Sequence, residues 1–209
     1  MPVARVGEHA LSSECIQQGL RRQSWPAVQP VDIPYRSASV LMPLLILQGQ
    51  WHLLYIRRSD IVQDHKGQVA FPGGAVEALD AGPADTALRE TQEEIGIQPA
   101  DVQVIGQMGP MLTITHFLVT PVVGIIPWPY MLKLQTDEVV RAFTIPLGWL
   151  ADPNHFSIQQ VDLRGRLTPV KIFDPFDGEK LWGITAQITV DFITRSEEHT
   201  SELQSRFGI

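Results

Sequence analysis

Phe71-Pro72-Gly73-Gly74 and, fifteen residues beyond Gly74, Arg89-Glu90-Thr91-Gln92-Glu93-Glu94-Ile95-Gly96-Ile97 are the runs whose reading decides the fold. The first reads as a strand end turning through glycines. The second closes a helix predicted over about Ala84 to Ile95, with Gly96 as the residue type that most often ends a helix in the left-handed conformation. Ala84, Leu88, Thr91 and Ile95 recur at the spacing of a buried helical face. At ~100° per residue, Glu90, Glu93 and Glu94 fall within about 100° of one another, roughly opposite that face. The expectation is a helix anchored by one side, with three carboxylates projecting together from the other.

A solvated charged face would be the ordinary explanation of such a cluster, and electrostatics argues against it. Like charges at i, i+4 cost a few tenths of a kcal/mol. Glu93 and Glu94 also sit in the last turn, where the helix dipole disfavours anions. Arg89 offsets this only in part, through Glu93 at i+4. A hard divalent cation such as Mg²⁺ would remove the repulsion, since it prefers carboxylate oxygen.

The stretch resembles the Nudix box, whose core is Gly…Glu…Arg-Glu-x-x-Glu-Glu-x-Gly; Gly74, Arg89, Glu90, Glu93, Glu94 and Gly96 occupy its positions. Asp80, the best match to the first acidic position, is followed by eight residues before the Arg, where the general pattern has seven. That insertion is similar to the coenzyme A pyrophosphatase branch. So are Leu54-Tyr55-Ile56-Arg57-Arg58-Ser59 and Gly67-Gln68-Val69-Ala70-Phe71-Pro72-Gly73-Gly74, which resemble the branch signature Leu-Leu-Thr-x-Arg-Ser-x3-Arg-x3-Gly-x3-Phe-Pro-Gly-Gly. Val119 to Gly124 and Trp182 to Ala186 resemble further segments of those enzymes. Gln63 stands where the signature has Arg, and Tyr55 and Ile56 also depart from it.

The resemblance implies an α/β fold, a Nudix-type α/β/α sandwich with a mixed β-sheet, and hydrolysis of a diphosphate linkage with Mg²⁺ or Mn²⁺. Glu90 and Glu94 would be the principal metal ligands, and Glu93 a further ligand or the base. Arg89 would orient the cluster, and the backbone at Gly73 and Gly74 would approach metal and diphosphate. The implied substrate is coenzyme A or a derivative, with ADP-ribose or a dinucleotide as the alternative. A nucleotide-binding module without turnover would be expected to have lost box carboxylates, and all three helix glutamates are present.

Composition sets the bounds. The chain has 209 residues, 44% hydrophobic and 19% charged, which suits one globular domain. A net charge of −7 makes a nucleic-acid backbone an unsuitable partner. The one cysteine, Cys15, rules out an internal disulfide and fits a reducing compartment. No apolar run reaches the ~18 residues of a membrane helix, and Met1 to Leu20 lacks the apolar centre of a signal peptide. A cytoplasmic location is expected, with a small-molecule partner; the oligomeric state, a homodimer included, is left open.

In chain order, residues 1–34 are expected to be a helix over about Ala10 to Gln23 and a Pro-containing linker, and 35–194 the Nudix-like domain. Residues 195–209 resemble an in-frame translation of a sequencing-library adapter and are excluded from fold reasoning. Ser39–Leu47 and His52–Arg57 read as a hairpin. Arg57 and Arg58 are either phosphate ligands or surface charge; His65 is a further substrate candidate; Arg21 and Arg22 read as a solvated basic pair. Glu77 or Asp80 is read either as an outer metal ligand or as pairing with Arg89 to hold the loop against the helix. Trp128 and Tyr130 either stack on an adenine or pack within their loop. Strands are expected over Val102–Met108, His116–Ile126, Val139–Ile145 and Lys180–Gly183, a hairpin over Phe156–Phe173, and a closing helix over Ile184–Ile193.

Overall fold

The computed structural model describes residues 13–22, 34–61, 66–163 and 165–194. Gln63, His65, the tail from 195, and the side chains of Cys15, Arg21 and Arg22 lie outside that set.

An eight-stranded mixed sheet runs β3-β2-β1-β7-β5, with β4 on β1, β6 on β7 and β8 on β2. β1 (Arg36–Leu47) and β2 (Gln50–Arg58) form the expected hairpin. β1 runs parallel to β7 (Phe117–Ile125), and the other pairings are antiparallel. β5 spans Gln103–Gln107, β6 Met111–Leu112 and β8 Val139–Pro146. β9 (Phe156–Leu163) and β10 (Arg166–Phe173) form a separate two-stranded ribbon. Helices are α1 (Ser13–Arg22), α2 (Pro83–Ile95), α3 (Leu147–Ala151) and α4, over residues 183–194. No helix among the described residues is long and apolar enough to cross a membrane.

Alternation along the central strands builds both faces. Met42, Leu44, Leu53 and Tyr55 share one buried cluster with Ile16 of α1 and Ala186, Ile188 and Phe192 of α4. Leu41 packs with Ala87 of α2, and Leu45, Leu54 and Ile56 with Ile95. The sheet is thus sandwiched between helices, the expected layering. The expected strand at Lys180–Gly183 is absent: only Trp182 bridges to Ile172, and α4 begins at residue 183.

β1 and β2 pair only near their turn, from Leu44↔Leu53 to Leu47↔Gln50. Where they diverge, β3 (Val69–Ala70) pairs with β2 and β4 (Gly73–Ala75) with β1, so Phe71-Pro72 crosses the gap. Phe71 is 3% exposed and stacks on Tyr55 at 4.7 Å. Burying such a side chain contributes about 2–3 kcal/mol. This wedge fixes the glycine pair beneath α2.

Candidate active site

Pro83 opens α2 at a position where its missing N–H costs no helical bond. At the other end Gly96 takes φ 77°, and its N–H bonds the Gln92 carbonyl. The last turn carries no cation; its carbonyls are capped from the following loop, with Lys133 N–H donating to Ile95 O and Gln135 N–H to Glu94 O, both at 2.9 Å.

The buried residues of α2 are Thr86, Ala87, Thr91, Glu94 and Ile95. Taking Ala87, Thr91, Glu94 and Ile95, the packed face is rotated by roughly 45° from the expected one. Ala84 and Leu88 lie half-buried at its margin. Glu94 is therefore not a projecting carboxylate: it is 2% exposed. One oxygen accepts from Arg58 Nη1 at 2.9 Å and the other from Gly73 N–H at 3.0 Å. Burial nevertheless pushes its carboxyl up to about 7, Arg58 and Gly73 pulling down and Glu90 and Glu138 pushing up. Burial also raises Glu90, against Arg89 and with Glu93 and Glu138 adding to the rise.

Glu90 lies against the glycine pair. A Cβ on Gly74 would meet the Glu90 carboxyl carbon at 2.4 Å, so the missing side chain is the space the carboxylate uses. Arg89 then ties the acidic loop to the helix. Nε and Nη2 grip Asp80 at 3.0 and 3.1 Å, Nη2 also donates to the Ala75 carbonyl at 3.1 Å, and Nη1 reaches Glu90 at 3.0 Å and Glu93 at 3.2 Å. Asp80 also accepts from Glu77 N–H and Thr86 Oγ1, both at 2.8 Å. The arginine holds the Asp80 carboxyl well below the usual range. The reading of Asp80 as the partner of Arg89 is what the structure shows; Glu77 stays at 3.9 Å.

Arg57 and Arg58, neighbours on one strand, point to opposite faces. Arg58 serves Glu94, whereas Arg57 lies 3.8 Å from Glu179, which also binds Arg141 at 3.3 Å. Arg141 sits opposite Arg57 in the β2–β8 register and reaches Asp177 as well. Strand alternation therefore keeps Arg57 off the face on which Arg58 meets the box residues. Trp128 and Tyr130 pack within their loop against the α2-side cluster, with Tyr130 OH donating to Asp101 at 2.6 Å and accepting from Gln98 N–H at 3.0 Å.

Sequence reading missed Glu138. Its carbonyl accepts from Ser59 N–H at 2.7 Å, which places the residue at the end of β2 beside Arg58, and its charge acts on both Glu90 and Glu94. It stands outside any motif, and the acidic pair Asp137-Glu138 before β8 was its only signal.

These residues fit a hard divalent cation. Two carboxyls are held where the anion is disfavoured, and the donors they offer are all oxygen. Among the described residues no three acidic, His or Cys side chains are gathered to hold an ion as they stand.

The chain is similar to known proteins over most of its length. The family model described as the NUDIX domain matches residues 36–161. Over 157 residues the chain is 39% identical to the uncharacterized Nudix hydrolase NudL of Escherichia coli (strain K12), covering 75% of this chain and 76% of that protein. The NudL protein of Shigella boydii serotype 18 matches to the same extent. Among solved structures, the MutT protein from Methanosarcina mazei Go1 is 19% identical with a TM-score of 0.53, covering 82% of this chain and 99% of that one. A MutT/nudix family protein from Enterococcus faecalis has a TM-score of 0.53 at 16% identity over 90% of this chain and 75% of that one; both likenesses concern the fold. The helix glutamates, the glycine wedge and these matches together make the chain a member of the Nudix hydrolase family.

Proposed function

We propose that the chain hydrolyses the diphosphate linkage of coenzyme A or a derivative, adding water across P–O–P to give 4′-phosphopantetheine and adenosine 3′,5′-bisphosphate. The observation that carries the diphosphate chemistry is the placement of two helix carboxyls on the glycine wedge, Glu94 buried against Gly73 N–H and Glu90 filling the space at Gly74. Glu90 and Glu94 would hold Mg²⁺ or Mn²⁺, which would supply charge neutralisation at the non-bridging oxygens and a more acidic water. Arg58 and Gly73 N–H fix Glu94 from behind, and Arg89, seated on Asp80, fixes Glu90. Glu93, its side chain 60% exposed and held by Arg89 Nη1 at 3.2 Å, would take a proton from water or join the ligands. Little covalent work falls to the protein; positioning and electrostatics carry such steps. His65 is the candidate for an anionic group of the substrate.

The coenzyme A assignment rests on the Gly67–Gly74 segment and the inserted residue before Arg89. Gln63, in place of the signature Arg, supports the second reading, the same hydrolysis of ADP-ribose or a dinucleotide. The test is product analysis by mass spectrometry with Mg²⁺ or Mn²⁺ and coenzyme A, ADP-ribose, NADH and diadenosine polyphosphate in parallel. Release of 4′-phosphopantetheine far faster than AMP from the others is the expected result. Faster AMP release from ADP-ribose or NADH overturns the substrate and keeps the mechanism; turnover of none overturns both.

A further inference from the structure

Among the described residues, two buried side-chain polar atoms lack a hydrogen-bond partner: Arg58 Nε and Ser39 Oγ. A buried hydroxyl left unpaired in a well-packed sheet calls for an explanation. Ser39 is 1% exposed. On β1 it shares the α2 side with Leu41, which packs on Ala87. Its register partner across β1 and β4 is Gly74. Cross-strand partners place their Cβ atoms about 4.5–5.5 Å apart. The Cβ position of Gly74 is itself filled by the Glu90 carboxylate, whose atoms lie 2.4 to 2.6 Å from it. The Ser39 side chain and the Glu90 carboxylate therefore share the space over Gly74, with Cβ positions across the pair about 4.5–5.5 Å apart. Glu90 Oε1 is taken by Arg89 Nη1, which leaves Oε2 as the oxygen open to a second donor.

We propose that Ser39 is a positioning residue: its hydroxyl donates, through one buried water, to the Glu90 carboxylate and fixes that carboxylate when the divalent cation is bound. The inference rests on the reading of Glu90 and Glu94 as the cation's ligands. Arg89 sets one oxygen of Glu90 and Ser39 the other, so the ligand is oriented from the helix and from the sheet. Alanine would remove the donor and keep the Cβ.

The experiment is Mn²⁺ binding by calorimetry, with thermal melts in EDTA, on the parent, Ser39→Ala, Ser39→Cys and Glu94→Gln. Removal of such an outer donor weakens metal affinity about tenfold or more. Ser39→Ala is expected to bind Mn²⁺ about tenfold more weakly while its metal-free melting temperature stays level or rises, an unpaired hydroxyl having been removed. Ser39→Cys, with a weak S–H donor, should fall between. Parent-like Mn²⁺ affinity in Ser39→Ala, with Glu94→Gln impaired, overturns the role of Ser39 and leaves the metal site standing. Equal affinity in the parent and Glu94→Gln, or no Mn²⁺ binding by the parent, overturns the metal reading and this inference with it.

Discussion

Glu94→Gln separates the electrostatic strain of the site from its chemistry. In the folded chain the Glu94 carboxyl is raised from an ordinary 4.5 to about 7, chiefly by burial. The side chain is 3% exposed, so solvent screens little of this. At roughly 1.4 kcal/mol per pH unit, the gap is worth about 3 kcal/mol. Between those two values the native state keeps a proton that the unfolded chain has released. Stability therefore falls as pH rises through 4.5 to about 7, and the full cost stands above that window. Glutamine preserves the size and cannot ionise. Urea unfolding in EDTA, followed by tryptophan fluorescence, should show the mutant gaining on the parent by about 2–3 kcal/mol between about pH 5 and pH 8.5. In thermal melts that is about 5–10 °C for a domain of this size. Adding Mn²⁺ at the upper pH should recover most of that cost in the parent and little in the mutant. Turnover in the mutant should drop by orders of magnitude because an anionic ligand is gone. Parallel pH profiles for the two proteins would falsify the claim that a strained, buried carboxyl organises this site.

The two glycines of the wedge should fail in different ways. Gly74→Ala drives a Cβ into the flexible end of Glu90 at 2.4 Å, so the fold should survive while kcat falls about 100-fold, read by melts and steady-state rates. Gly73→Ala meets the Ser39 carbonyl at 2.3 Å from a φ of 154°, and should cost more than about 2 kcal/mol in urea unfolding. Asp80→Asn removes the principal partner of Arg89 and should lower kcat about tenfold or more, with a normal far-ultraviolet spectrum. Glu138→Gln removes a charge that raises both Glu90 and Glu94, so metal-free melts at alkaline pH should improve as Mn²⁺ affinity drops several-fold; unchanged affinity would detach Glu138 from the site.

What the sequence could disclose depended on the range of the interaction that decides each feature. The hairpin of β1 and β2, the helix end at Gly96 and the Asp80–Arg89 pairing are set within about ten residues, and period, turn chemistry and charge spacing reveal them. The opposite aims of Arg57 and Arg58 were equally local, since adjacent strand residues must face opposite sides, and strand parity alone would have parted them. The burial of Glu94 belongs to another class. Helical periodicity placed it on the outer side of α2, and by the helix alone it is there. It is enclosed by segments distant in sequence: Gly73 from the wedge, Arg58 from β2, and the loop whose Gln135 N–H caps its carbonyl. The excess of negative charge in the last turn was the legible trace of that enclosure. A helix that ends in two glutamates and no cation is unfavourable by itself. Its presence implied that something outside the helix compensates it, and the folded chain supplies Arg58, Arg89 and two loop amides. The raised Glu90 and Glu94 carboxyls show that the compensation is incomplete. A divalent cation bound by Glu90 and Glu94 would offset part of that residual cost, and linkage would then register its binding as added stability.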